Sequence, residues 1–371
     1  LSKSSLPSFV ELLKKKGIGP SMSKSLWKED LVHVGIGFLD NSLPLETKSP
    51  LLIALLMLPP NKDENEWLVL LKKSPDSFLP SELLPFVTHD SSPHPLCDYV
   101  FMTMKGTSLS YTEMKEAMTW VLDPTVPLYM KSAFLEAQRL KRETITENTA
   151  CLDLFLKRSQ HIVADVPCII DIANPYDGFN RHVNVLPDIA KHLSKEGHHV
   201  VLHGCAKVAP KYGTTVRDVL LSKNIPIPET FESAMDMLHS KGWTYIDQSI
   251  FFPELHELIE LRHRMIKRPL LATIEKFLLP IRSKKKNFLI TGYTHPAYKE
   301  TTRSLLSSHP HVSEFLFFRG VEGSSQLPTD KRAPYIYGKK DGDVLEGFIK
   351  KTENTAPITH NVATYRSFLT S

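Results

Sequence analysis

Four cysteines in 371 residues are too few and too scattered for a disulfide framework. Cys97, Cys151, Cys168 and Cys205 show no metal-ligand spacing either. That scarcity points to a reducing interior, with the cytoplasm as the expectation. An organelle stays open, because the chain starts at Leu1 without an initiator Met. The stretch Leu1-Ser-Lys-Ser-Ser is compatible with the remnant of a removed leader and does not decide the matter. Long apolar runs are also missing. The longest, Leu51 to Leu58, falls far short of the roughly 20 residues of a membrane span. Neither sign of charge dominates: 45 Lys and Arg against 41 Asp and Glu leave +4. A polyanionic partner must therefore be argued from local clusters rather than from a global field. The sixteen histidines form no paired metal motif, and no metal site is expected.

What is present is an ordinary globular composition, 42% hydrophobic, over two or three domains' worth of chain. Residues 1–92 read as an N-terminal helical unit. Its helices are expected over Ser8–Lys16, Leu26–Leu39, Pro44–Leu58 and Asn65–Lys73, with stops at Gly17, Gly19 and Pro59-Pro60. A linker rich in Pro and Ser follows, roughly Ser74 to Pro95.

An internal repeat appears beyond the linker. Phe38–Leu55 aligns with Val121–Gln138 at a constant offset of 83 residues, Lys48-Ser49 falling on Lys131-Ser132. Leu39/Leu122, Asp40/Asp123, Pro44/Pro127, Leu45/Leu128, Leu52/Leu135 and Ala54/Ala137 are identical pairs. Two helical hairpins under similar packing constraints would share core positions. The shared polar and turn residues favour duplication of one unit, each copy being a helix, a Leu-Asp turn and a Pro-started helix.

From Val166 the pattern changes to alternating strands and helices, which predicts a parallel sheet. Strands are expected at Val166–Ala173, His199–Leu202, Trp243–Asp247, Phe288–Thr291 and Glu314–Phe318, with edge strands at Pro334–Tyr337 and Val344–Phe348. Helices are expected near Leu186–Lys195, Val216–Lys223, Glu232–Ser240, Pro253–Arg268, Leu270–Leu279, Ala297–Ser307 and His360–Ser371. Ligands of such sheets sit beyond the carboxyl ends of the strands. Here those ends carry Asn174-Pro175-Tyr176-Asp177-Gly178 and His203-Gly204-Cys205-Ala206-Lys207.

Basic residues cluster at the same ends. Arg181 and His182 follow the first strand; Lys207, Lys211, Tyr212 and Arg217 follow the second; Arg319, Lys331 and Arg332 sit in the late loops. Further basic groups are Arg262, Arg264, Lys267 and Arg268 on one predicted helix and the run Arg282, Lys284, Lys285, Lys286. Cationic strand ends with interleaved aromatics fit single-stranded nucleic acid or another phosphate-bearing ligand. The plainer alternatives are a solvated loop at Lys284–Lys286 and helix-surface ion pairs to Glu257 and Glu260. Asp177-Gly178 is also an ordinary turn signal.

Over Leu109 to about Gly338 the chain resembles the anthranilate phosphoribosyltransferases and their relatives in glycosyltransferase family 3. The resemblance rests on Glu116-Ala117-Met118, Ala133-Phe134-Leu135-Glu136-Ala137-Gln138-Arg139, His203-Gly204, Asp218-Val219-Leu220, Arg262 and Val321-Glu322-Gly323. It implies an α/β protein of the phosphoribosyltransferase class, with a small all-helical domain (93–160), a larger α/β domain (161–371) and a mostly parallel central sheet. It also implies a homodimer through the helical domain. Arg262 stands where the family places an arginine that helps to hold the aromatic amino acid.

The departures are concentrated in the family's reaction machinery. Its Gly-Thr-Gly-Gly-Asp-Gly phosphate cradle reads Ala173-Asn174-Pro175-Tyr176-Asp177-Gly178 here. The cradle glycines let backbone N–H groups approach a pyrophosphate; proline has no N–H to give. Leu202, Cys205 and Ala206 replace the Lys, Asn and Arg around His-Gly, and Ser325 and Gln326 replace the acidic pair that holds Mg²⁺.

These substitutions are similar to the divergent YbiB-like branch, which binds nucleic acid. The segments that carry this are Tyr176-Asp177-Gly178, Leu202-His203-Gly204, Thr294-His295-Pro296-Ala297-Tyr298 and Arg319-Gly320-Val321-Glu322-Gly323. The additional N-terminal unit departs from that branch. The expected ligand-binding set is Asn174, Asp177, Gly178, Arg181, His203, Gly204, Lys207, Lys211, Arg217, Arg262 and Arg319, with no cofactor. The alternative is an active transferase that uses phosphoribosyl pyrophosphate and Mg²⁺ on anthranilate or a related acceptor, in tryptophan biosynthesis. A third class is a non-catalytic scaffold whose duplicated helices serve a partner.

Overall fold

The computed structural model describes residues 8–17, 19, 22–89, 94–340, 342–352 and 355–370. The leader-like Leu1–Ser5 stretch and part of the expected linker lie outside them. The chain forms two compact units, Leu1–Cys151 with Leu258–Leu270, and Leu152–Glu257 with Leu271–Ser371. The division falls before the expected boundary at residue 160, and both helical repeats belong to the same unit.

The helical unit contains α1 (Phe9–Lys16), α2 (Lys28–Leu39), α3 (Leu45–Met57), α4 (Lys62–Lys73), α5 (Pro85–Thr88), α6 (Pro95–Met104), α7 (Tyr111–Leu122), α8 (Leu128–Lys141) and the start of α9 (Ile145–Arg158). Local sequence fixes their starts. Asn61 with Glu64 and Ser110 with Glu113 form capping boxes, and Pro44 and Pro127 immediately precede α3 and α8. Short 3₁₀ turns and α5 occupy the expected linker.

The offset of 83 seen in sequence recurs in the structure. It carries Lys28–Leu39 onto Tyr111–Leu122, end to end. It also carries whole hydrogen-bond patterns. Glu64 accepts the N–H groups of Leu26 (2.9 Å) and Asn61 (2.9 Å); Glu147 accepts those of Leu109 (2.9 Å) and Thr144 (2.7 Å). Asp40 accepts from Ser42 N–H at 2.8 Å, and Asp123 from Thr125 N–H at 2.8 Å. The helices α3 and α8 pack on each other.

In the α/β unit the strands are β1 (Ile162–Ala164), β2 (Cys168–Ile172), β3 (His199–Gly204), β4 (Trp243–Asp247), β5 (Ile281–Ser283), β6 (Lys286–Tyr293), β7 (Glu314–Arg319), β8 (Ala333–Lys339) and β9 (Val344–Ile349). Among the described residues one sheet runs β4-β3-β2-β6-β7-β8-β9 and a second pairs β1 with β5. The links from β4 to β7 are parallel; β8 and β9 join antiparallel. So β9 is the edge, and β8, expected there, is an inner strand. Ile170, Ile172, Leu202, Phe288, Ile290 and Leu316 pack the core.

The remaining helices are α10 (Leu186–Lys195), α11 (Val216–Ser222), α12 (Phe231–Lys241), α13 (Gln248–Phe251), α14 (Pro253–Glu257), α15 (Ile259–Met265), α16 (Leu271–Ile274), α17 (Tyr298–Ser307) and α18 (Pro357–Leu369). The expected single helix Pro253–Arg268 is broken. Leu258 leaves helical geometry at ψ 0°, and Ile266 stops α15 in the left-handed region at φ +55°. The break falls where the chain passes from one unit to the other.

Because β2, β3, β6 and β7 are parallel, the loops after Ile172, Gly204, Tyr293 and Arg319 leave the same end of the sheet. The run Arg282–Lys286 leads into β6 and lies at the opposite, amino end, so it does not join the strand-end cations.

Candidate functional site

Two strand-end loops are laced together first. Phe179 and Thr214 exchange backbone hydrogen bonds at 3.1 and 2.8 Å, and Gly213 N–H donates to Asp177 O at 2.9 Å. The approach demands glycine on both sides. Gly178 has φ +75°, and a Cβ there would lie 2.6 Å from Gly213 carbonyl atoms; one on Gly213 would lie 2.6 Å from Phe179 N.

Beneath this lacing lies a closed polar chain. Asp171 and His203 are fully buried and Tyr176 nearly so. His203 Nε2 lies 3.1 Å from Asp171 Oδ1, and the Tyr176 hydroxyl hydrogen-bonds His203 Nδ1. With the carboxylate as acceptor, Nε2 carries the proton and Nδ1 accepts from the phenol. Burial pushes the Tyr176 phenol well above its usual range, with further upward pressure from Glu275. Asn174, also buried, donates to His203 O at 3.4 Å. His203 and Asn174, expected on a ligand-facing wall, are thus interior groups.

Above it, one carboxylate gathers the rim. The backbone N–H groups of Asn180 (3.2 Å), Arg181 (2.8 Å) and His182 (3.2 Å) all point at Glu322. Lys211 Nζ stands 3.1 Å from the same carboxylate and 3.0 Å from Gly178 O, and 4.0 Å from Asp177. Three successive N–H groups make an anion-binding concavity. Burial pushes the Glu322 carboxyl up, but the Arg181 and Asn180 N–H groups, Lys211 and His182 outweigh it and hold the pKa at about 2. Glu322 sits at φ +51° between Gly320 and Gly323, a region that few non-glycine residues adopt. The expected ligand-binding set contains Lys211 and Arg181 but not the acid they share, which the sequence shows only within the Val321-Glu322-Gly323 motif; an acidic residue flanked by glycines in a strand-end loop is the signal for it.

Beside this cluster lies a cavity of about 450 Å³ whose lining includes Arg181, His182, Arg319, Glu322, Asp330 and Lys331. Arg181, Arg319 and Lys331 are exposed. Lys207 is exposed on its own loop and is not part of this lining, and Arg217 is turned to Asp247 at 3.5 Å.

Other expected cations have structural partners. Arg262 is buried in the helical unit, Arg264 pairs with Glu260 at 2.8 Å, and Lys267 donates to Leu13 O at 3.0 Å. Arg282, expected in a basic run, is buried and donates to Leu279 O and Leu278 O at 2.9 and 3.1 Å.

The positions expected to replace a Mg²⁺-binding pair are also engaged. The Ser325 hydroxyl bonds Ala173 O and Ile290 O. Gln326 accepts from Val185 N–H and donates to Val183 O, both at 3.2 Å. Among the described residues no group of three or more His, Cys, Asp or Glu is placed to hold a metal ion. Nor is any helix among them long and apolar enough to cross a membrane.

A small helical bundle with an α/β unit of mostly parallel sheet is the architecture of the anthranilate phosphoribosyltransferases. The solved enzyme from Thermus thermophilus superposes with a TM-score of 0.55 at 16% identity, over 73% of this chain and 82% of that one. The pattern of the Glycosyl transferase family, helical bundle domain, matches residues 101–159, a stretch that includes the second repeat copy Val121–Gln138. An uncharacterised protein of Aquifex aeolicus (strain VF5) is 27% identical over 236 residues, 64% of this chain and 70% of that protein. The anthranilate phosphoribosyltransferase of Petrotoga mobilis (strain DSM 10674 / SJ95) is 30% identical over 132 residues, 35% of this chain and 38% of that enzyme's length. The chain has the fold of the anthranilate phosphoribosyltransferases, and a stretch of its helices matches the helical bundle domain of that glycosyl transferase family.

Proposed function

We propose that this protein binds a phosphate-bearing polyanion, single-stranded nucleic acid in the first place, at the carboxyl ends of its strands, and does not run the anthranilate reaction. The observation that carries this reading is the occupancy of the cradle. Tyr176 is buried where the family's glycines approach a pyrophosphate, locked to His203. In the loops at the same end of the sheet, exposed Arg181, Arg319 and Lys331 border a cavity. Guanidinium and ammonium groups so placed contact phosphates without reading bases.

Mg²⁺ does not fit the residues present. Ser325 and Gln326 offer neutral oxygens that already serve backbone groups, whereas the ion prefers carboxylates. The proposed binding does not depend on it. Arg319, Arg181 and Lys331 supply charge, the laced loops hold their positions, and Glu322 limits the ligand's access to the row of N–H groups.

The test is fluorescence anisotropy with a short labelled single strand across a salt series. Binding that weakens steeply with salt, and weakens further in Arg319→Ala and Lys331→Ala, is the expected result. Absence of binding to any oligonucleotide at low salt overturns the reading. So does Mg²⁺-dependent pyrophosphate release from phosphoribosyl pyrophosphate and anthranilate that Asp177→Ala abolishes, which would establish the transferase instead.

A further inference from the structure

The two helical repeats do more than resemble each other. Ser49 and Ser132 occupy the same position in the two copies, both are fully buried, and their hydroxyls meet at 2.6 Å. A contact between a residue and its own counterpart occurs on the axis of a two-fold, isologous interface. The surroundings obey the same relation. Lys48 and Lys131, one residue earlier in each copy, are both buried. Each bears on the aspartate at the preceding turn of its own copy, Asp40 and Asp123. The buried acids Glu64 and Glu147 hold equivalent N–H groups. The two helices meeting on the axis are α3 and α8, counterparts by register.

We infer that the helical unit is an internally completed dimer: the first repeat fills, within the chain, the face of the second that would otherwise take the same bundle of another copy. An isologous pair closes on itself, because each partner's patch is used once and no further copy can be added through it. Pairing through these helices therefore leaves the protein a monomer, with a single α/β unit per assembly, in place of the homodimer expected from the family resemblance. Any ligand of the strand-end cavity is then bound by one unit, without a symmetric second site across an axis. This inference does not depend on what the cavity binds.

Sedimentation equilibrium of the unaltered full chain tests it first, with a single species of 42.1 kDa expected over a wide concentration range. The variant Ser49→Cys with Ser132→Cys tests the geometry, since hydroxyls at 2.6 Å place two thiols within bonding reach. Oxidation is expected to give a bond within one chain, read as monomer mass on a non-reducing gel together with the loss of the two added thiols in a denaturing thiol titration, a loss that neither single variant shows. A cross-link at doubled mass overturns the inference by showing that the repeats pair between chains. A dimer in sedimentation also overturns it even with the cross-link inside one chain, because the internal pairing would then not complete the molecule. If the double variant fails to fold, the sedimentation result on the unaltered chain decides alone.

Discussion

The phenol of Tyr176 hydrogen-bonds Nδ1 of His203 inside the α/β unit, where Asp171 holds the other ring nitrogen at 3.1 Å. The pair explains how a tyrosine can be accommodated at this strand end: its ring is buried and its hydroxyl is satisfied by His203 Nδ1, with Glu275 O also in reach at 3.3 Å. Tyr176→Phe keeps the ring and removes the donor, leaving Nδ1 buried without it. The expected cost is roughly 1–3 kcal/mol, measured by urea denaturation. Polyanion binding should stay within twofold, since Tyr176 does not border the cavity. A neutral effect on stability would show that the hydroxyl is not needed there.

Glu322 occupies the N–H groups of residues 180–182 and pairs with Lys211, so under the proposed binding it opposes an incoming anion. Glu322→Gln removes the negative charge and with it the shorter of two ion pairs of Lys211, leaving Asp177 at 4.0 Å. Oligonucleotide affinity at low salt is expected to rise by about tenfold, or about 1.4 kcal/mol. Stability should fall at neutral pH. The sign follows from the lowered folded pKa: an acid held at about 2 stabilises the fold above its unfolded value and loses that contribution as pH falls toward 2. The variant should therefore lack the part of the acid transition that this carboxyl supplies. Unchanged or weaker oligonucleotide binding by a folded variant would mean that Glu322 does not oppose the ligand.

Much of the architecture was legible because it is written in local pattern. Apolar runs broken by a helix gave β2–α10–β3, and polar identities such as Asp40/Asp123 and Lys48/Lys131 gave the repeat. The interior chemistry was not legible. Asp171, Tyr176 and His203 come from different loops and strands, and only the parallel register brings them together. Arg282 reads as part of a basic run, yet it is buried donating to two carbonyls; charge pattern alone does not tell a buried arginine from an exposed one. The Glu322 cluster depends on backbone N–H groups, which every residue but proline owns, so an acid between glycines marks Glu322 but nothing in the sequence marks its partners at residues 180–182. The break at Leu258 follows from the passage of the chain between units, which helical periodicity cannot reveal.

The repeat makes matched predictions about stability. Glu64 is buried against Lys16 at 2.8 Å, and Glu147 against Lys141 at 2.7 Å. Replacing either glutamate by glutamine leaves a buried ammonium without its counter-charge, expected to cost about 3–5 kcal/mol. The N–H partners are equivalent in both copies, so the two losses should agree within about 1 kcal/mol in parallel urea titrations. A large loss at one site with none at the other would mean that the two copies are held by different forces despite their common register.

The acid sensitivity of the fold should owe much to one histidine. His309 is buried, with Nε2 donating to Phe277 O at 2.8 Å and Nδ1 accepting from His311 N–H at 3.1 Å. Both nitrogens are satisfied only in the neutral ring; a proton on Nδ1 would face another N–H. Burial lowers the pKa to about 3, and His311, Arg282 and Lys340 add repulsion, although the Phe277 carbonyl opposes it. The unfolded chain takes up this proton below about 6.5, whereas the folded one does not until about 3. Stability is thus full above 6.5 and declines as pH falls toward 3, by about 2 kcal/mol at pH 5 from this group. His311, lowered to about 4 by burial and by the neighbouring Arg282, His161 and Lys340, adds in the same direction. His309→Asn has no proton to refuse in this range, so its stability should vary less with pH between 6.5 and 4 than that of the unaltered chain. Urea midpoints at half-unit pH intervals read the difference, and parallel curves would show that His309 is protonated without cost in the folded state.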